Sequence, residues 1–133
     1  MFEDICNLVF SLYLYADMTK MIHYSTESNH CHKLCDEVRD DIISFADDLA
    51  EQYFGYHGKP SFSDMTLEHD IKTTDNIGEL CKTVADMTDS LRKQCQNDSK
   101  LQNIVSIIDD FKGKMEQKMF LATFDKVSNY KGA

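Results

Sequence analysis

The chain has one proline, five glycines and no tryptophan in 133 residues. So few breakers leave little material for the short strands and tight turns of an all-β fold. They favour long uninterrupted elements instead. Basic residues are also scarce: 14 Lys and Arg stand against 23 Asp and Glu, for a net charge of −9. That balance does not supply the stripe of cations that phosphate binding demands, which argues against direct DNA binding. No apolar run approaches the roughly 18 residues that a membrane span needs. The N-terminal MFEDICNLVF is acidic where a secretion signal would be basic. The cysteines Cys6, Cys31, Cys35, Cys81 and Cys95 are odd in number and form no C-x-x-C pair. They read as reduced thiols, which places the protein in a bacterial or host cytoplasm.

What is present suits a single domain over residues 1–133. Apolar residues make up 42% of the chain, enough for one core. The apolar residues recur at steps of three and four, the helical period, and nowhere alternate as in a strand. Four helices are expected, over about 3–25, 30–55, 75–96 and 99–128. The first carries Ile5, Leu8, Val9, Leu12, Tyr15 and Ile22 on one side, with Phe10, Tyr13, Leu14, Met18 and Met21 on others. A helix apolar nearly all round is buried on two faces. It is therefore expected to meet a second subunit as well as its own bundle, with helices 1 and 2 forming the contact. The stretch STESN, residues 25–29, is rich in N-cap formers and predicts a break before helix 2. Helix 2 is expected to stop at Gly55-Tyr-His-Gly58, just ahead of Pro60. Residues 56–74 are the least regular: either Ser63 caps a short helix through Ile71, or the segment is a crossover joining two hairpins. Four long amphipathic helices make the fold class all-α, a four-helix bundle.

Residues 18–58 hold the chemistry. They contain four of the five histidines and the adjacent pairs Asp40-Asp41 and Asp47-Asp48. Asp47 and Glu51 are four apart and share one helical face. His32 precedes Asp47 by fifteen residues, roughly 22 Å along a straight helix. One chain therefore cannot bring both to a single ion, and a shared site needs a second, antiparallel subunit. His23 and His32 are nine apart and converge only if the helix breaks between them. Bundle metal sites use inward carboxylates and imidazoles from facing helices, and iron and manganese accept that donor set. The metal candidates are thus His23, His32, Asp47 and Glu51, with Asp48 as an outer acceptor. The bland reading is that the acidic residues form an ordinary solvated face. His30, His57 and His69 read as surface residues, the methionines and cysteines as core fillers, and Thr26 and Ser28 as caps. No Ser-His-Asp order, phosphate loop or nucleotide fingerprint is present.

The order His23, His32, then Asp47-x-x-x-Glu51 resembles the ferroxidase residues of the Dps miniferritins. In that family the site lies between helices of two subunits. The pattern His23-x-x-Thr26-x-Ser28-x-x-x-His32, followed by Asp47-Asp48-x-x-Glu51-x-Tyr53-x-Gly55, is similar to that of small bacteriophage ferritin-like proteins of unknown function. Leu101-Gln102-Asn103-Ile104 and an aromatic near Phe120 extend the likeness, so it covers roughly residues 18–58 and 100–124. The resemblance implies a ferritin-like bundle with a long connection between helices 2 and 3. It also implies a homo-oligomer, iron as cofactor, and a ferroxidase-like activity if the protein is an enzyme. Dps tails that bind DNA are rich in Lys and Arg; here the N-terminus is MFEDI and the C-terminus offers Lys126 and Lys131 alone. The larger ferritins use paired Glu-x-x-His motifs, and this chain has one such spacing, Glu27 to His30.

A second reading stands beside the first. It is a metal-free helical bundle, a phage-type accessory protein that binds a host protein or small ligand. A charge of −9 suits capture of a basic partner. The two differ in whether His23, His32, Asp47 and Glu51 converge across subunits.

Overall fold

The computed structural model describes residues 2–67 and 70–124. The described residues form α-helices, two short 3-10 turns and no strand. Helix α1 is Phe2–Ser25, α2 is Asn29–His57, α3 is Ile77–Asp86, α4 is Asp89–Cys95 and α5 is Gln102–Ala122. The fold is an all-α helical bundle. The first two helices match the expected spans to within two residues at each end.

Three differences from the sequence reading have local causes. The third expected helix is broken into α3 and α4 at Met87-Thr88. Thr88 is fully buried and its hydroxyl donates to the Ala85 carbonyl at 2.7 Å, while its amide tightens onto the same oxygen at 3.2 Å. A hydroxyl that takes a helix carbonyl competes with the i to i−4 ladder. Both residues keep right-handed backbone dihedrals. Among the described residues no helix continues from Ser63 toward Ile71: a 3-10 turn covers Phe62–Asp64, and Met65 beyond it is extended. His69 lies outside the described residues. The last helix ends at Ala122, with Thr123 and Phe124 in a turn; the expected continuation over 125–128 lies outside the described residues, as do Lys126 and Lys131.

Side-chain pairs set the helix directions. Lys20 meets Asp36 and His23 meets His32, so α1 and α2 are antiparallel. Phe45 stacks on Phe111 and Lys118 reaches Glu37, so α5 runs against α2. Asp89 meets Lys112 and Arg92 meets Asp109, so α5 also runs against α3 and α4. Residues 58–76 therefore leave the end of α2 at one end of the bundle and deliver α3 at the other. Tyr15, 2% exposed inside α1, pins this segment by accepting from the Lys72 amide at 3.1 Å.

The core follows the apolar stripes. Leu12 and Ile22 of α1, Val38 and Leu49 of α2, Leu80 of α3 and Ile108 of α5 are all essentially inaccessible. Between α2 and α5 the Phe45 and Phe111 rings stack 4.1 Å apart and 5° from parallel. Charges line the rim, where Arg92 grips Asp109 through two bonds of 2.7 and 3.1 Å. The guanidinium holds that carboxyl below its usual range. No described helix is long and apolar enough to cross a membrane.

The Phe45–Phe111 stack gives a test of the core. Phe45→Ala removes one ring from a closed layer and is expected to cost about 3–5 kcal/mol of stability, read by urea unfolding.

Candidate functional site

The reversal between α1 and α2 uses three residues and no glycine. Ser28 is buried, with extended backbone at φ −87 and ψ 123. Its hydroxyl accepts from the Cys31 amide at 3.1 Å, satisfying one of the orphan donors of the new helix. Its own amide donates to the Thr26 hydroxyl at 3.2 Å. Ser28 acts as the cap expected of it, and Thr26 braces the turn before it.

The break brings His23 and His32 together. Their ring centroids lie 3.5 Å apart, with the planes tilted by 30°. The contact is reciprocal: His23 Nδ1 lies 3.0 Å from the His32 carbonyl, and His32 Nδ1 lies 3.2 Å from the His23 carbonyl. A carbonyl oxygen can only accept, so both Nδ1 atoms carry the proton in the neutral rings. Each Nε2 is then left with its lone pair. This is how metal-binding histidines are commonly held, with the far nitrogen donating to a carbonyl and fixing the tautomer. His32 is exposed on α2, and the His23 side chain is 11% exposed. Asp36 closes the group, 3.3 Å from His23 Nδ1 and 2.8 Å from Lys20 Nζ. The Lys20 hydrogen bond holds the Asp36 carboxyl below its usual range.

Asp47 and Glu51 stand exposed on α2 and make no hydrogen bond or ion pair among the described residues. Helix α2 is unbroken from Asn29 to His57, so His32 and Asp47 remain roughly 22 Å apart within one chain. The structure thus unites two of the four candidates and leaves the other two free on the same helix. Among the described residues no three His, Cys, Asp or Glu side chains converge as a metal-binding group. Asp48 is turned toward α5: it accepts from Gln52 at 2.9 Å, and Gln52 in turn accepts from Asn103 at 2.6 Å. It also lines a small cleft of about 130 Å³ with Asp41, Asp110 and Lys114.

The cysteines fill the core. All five are free and buried. Cys31 and Cys35 face each other with sulfurs 4.0 Å apart. The hydrogen bond with Cys31, then burial, pushes the Cys35 thiol up. Burial pushes up Cys6, Cys95 and Cys81, the last to about 12. Such thiols stay protonated at neutral pH, and metals bind the thiolate.

Two residues were missed by pattern. His30, read as a surface residue, points inward and its Nε2 bonds the Leu121 carbonyl at 2.8 Å, closing the end of α5. Lys118, 14% exposed, lies between Glu37 and Asp41 at 3.6 and 3.8 Å. Both join α2 to α5, and no local spacing announces a contact between residues some 80–90 apart. His57 stacks on Tyr53 with ring centroids 4.1 Å apart at the end of α2.

Comparison with protein-family models, curated proteins and solved structures finds no match to this chain.

Two outcomes test the site's support. Ser28→Ala should cost about 1 kcal/mol in urea unfolding and shift the ring resonances of both His23 and His32 in NMR spectra. Because the Asp36 carboxyl is held low, its contribution to stability is present above the ordinary carboxylate value of 3.8 and is lost as pH falls through its lower folded value. The stability gap between the wild type and Asp36→Asn should therefore be open at neutral pH and close in acid below 3.8.

Proposed function

We propose that the protein is a ferritin-like, Dps-related bundle that assembles through α1 and α2 and binds iron between subunits. His23 and His32 of one copy would supply two imidazole nitrogens; Asp47 and Glu51 of a second copy would supply carboxylate oxygens. The observation that carries this reading is the His23–His32 pair. Both rings are held by backbone carbonyls in the tautomer that frees Nε2, although the two residues are nine apart in sequence.

The donor set fits the metal. Two imidazoles and two carboxylates suit ferrous iron, whereas the buried, protonated thiols would favour neither iron nor zinc. Bound iron would supply redox chemistry toward oxygen or peroxide. The chain's own residues do the rest: Lys20 and Asp36 brace the His23 ring, and Ser28 fixes the turn that pairs it with His32. Asp47 and Glu51 would bring carboxylate oxygens to the cation. The net charge of −9 favours cation capture over DNA contact.

The protein purified without chelator, then titrated anaerobically with ferrous iron, tests this. Iron is expected in fixed proportion to subunits in an assembly larger than one chain. Asp47→Ala/Glu51→Ala should weaken binding by more than about 100-fold while leaving the helical content unchanged. A monomer that takes up no ferrous iron would overturn the reading. It would leave the metal-free bundle, whose host or basic partner would dock on the exposed face of α1 or α2.

A further inference from the structure

The core face of α2 carries a pair of thiols that the iron reading leaves unused. Cys31 and Cys35 are four residues apart on one helix, and their sulfurs lie 4.0 Å from each other. Cys31 is 5% exposed and Cys35 is fully buried. His32, next to Cys31 in the chain, is exposed, so the thiol pair and the histidine pair use different sides of α2. A third thiol, Cys81 of α3, lies near enough to act on Cys35. Leu34 and Val38 belong to the same closed core.

The separation of the sulfurs limits what the pair can do. A covalent S–S bond needs Cβ atoms about 3.5–4.5 Å apart. Positions i and i+4 of an intact helix hold them roughly 5–6 Å apart. Oxidation to a disulfide would therefore distort the first turn of α2, where Ser28 caps it. One ion placed between the sulfurs asks for no such change. Metal–thiolate bonds are about 2.3 Å long, so two in line span roughly 4.6 Å. The sulfurs already stand 4.0 Å apart, and small side-chain torsions supply the difference.

The number and softness of the donors select the ion. Zinc takes four ligands, and no three His, Cys, Asp or Glu side chains converge as a metal-binding group among the described residues. Thiolates favour copper(I), a closed-shell monovalent ion that accepts two ligands in line. Burial keeps water, the competing ligand, away from both sulfurs. Cys31 lies three residues after Ser28, in the first turn of α2. There the helix dipole and the unpaired amides favour the thiolate that the ion requires. That turn adjoins the α1–α2 reversal, which gives the ion a short way in from the end of the helix.

We propose that Cys31 and Cys35 form a two-coordinate site for copper(I), buried beside the α1–α2 turn. Two S–H bonds give way to two S–Cu bonds, the copper stays monovalent, and two protons leave to water. The site uses none of the four residues assigned to iron, and it stands whether or not iron binds between subunits.

The reduced full chain, titrated anaerobically with copper(I) in competition with the chelator bicinchoninate, tests this. One copper per chain should resist the chelator, and X-ray absorption should show two sulfur neighbours and no nitrogen. Cys31→Ala and Cys35→Ala should each weaken retention by at least about 100-fold, the upper end of what losing an outer-sphere partner alone costs. Cys6→Ala and Cys95→Ala remove buried thiols elsewhere in the core and should leave retention unchanged. Because the ion binds the folded chain, copper should raise the melting temperature of the wild type. Circular dichroism checks that the variants stay helical; if Cys35→Ala does not, Cys31→Ala in the first turn carries the comparison. Copper stripped completely by the chelator, nitrogen or oxygen among its neighbours, equal retention by Cys31→Ala, or a melting temperature lowered by copper would overturn the proposal.

Discussion

Ser28 receives the Cys31 amide and turns the chain back on itself, and the positions of the charged groups on the hairpin follow from that turn. Without it, His23 and His32 would face opposite sides of one long helix. With it, the two rings adjoin, each Nδ1 is committed to a carbonyl, and Lys20 comes within 2.8 Å of Asp36. A helix cap contributes little energy on its own. Its leverage is geometric, because it selects which faces of two long helices meet.

The rest of the bundle stabilises that hairpin from behind. The Phe45–Phe111 stack and the closed layers around Leu49 and Ile108 hold α5 against α2. His30 then closes the last turn of α5 from the start of α2. Between α2 and α3, the Lys72 amide is anchored on the Tyr15 hydroxyl. Salt bridges sit mostly on the rim, where water screens them, and they set register more than stability. Packing, rather than charge, carries the fold.

The outer side of the hairpin has a different character. On α1 it is apolar; on α2 it carries Asp36, Asp40, Asp47 and Glu51.

The helices, their approximate ends and the break before Asn29 were legible in the sequence because they depend on local chemistry. The three-to-four-residue period, a capping serine and a terminating glycine are all read within a few residues. The break inside the third helix was not legible, since Thr88 chooses the Ala85 carbonyl only when buried in a packed core. The roles of His30 and Lys118 were hidden for the same reason: each depends on a helix some 80–90 residues away. Of the four metal candidates, the sequence picked out all by spacing. It was the tertiary structure that decided His23 and His32 adjoin while Asp47 and Glu51 do not join them within one chain. Spacing along a helix determines which side chains share a face. Which faces then meet depends on burying apolar surface between distant segments, and that is decided only when the whole chain packs.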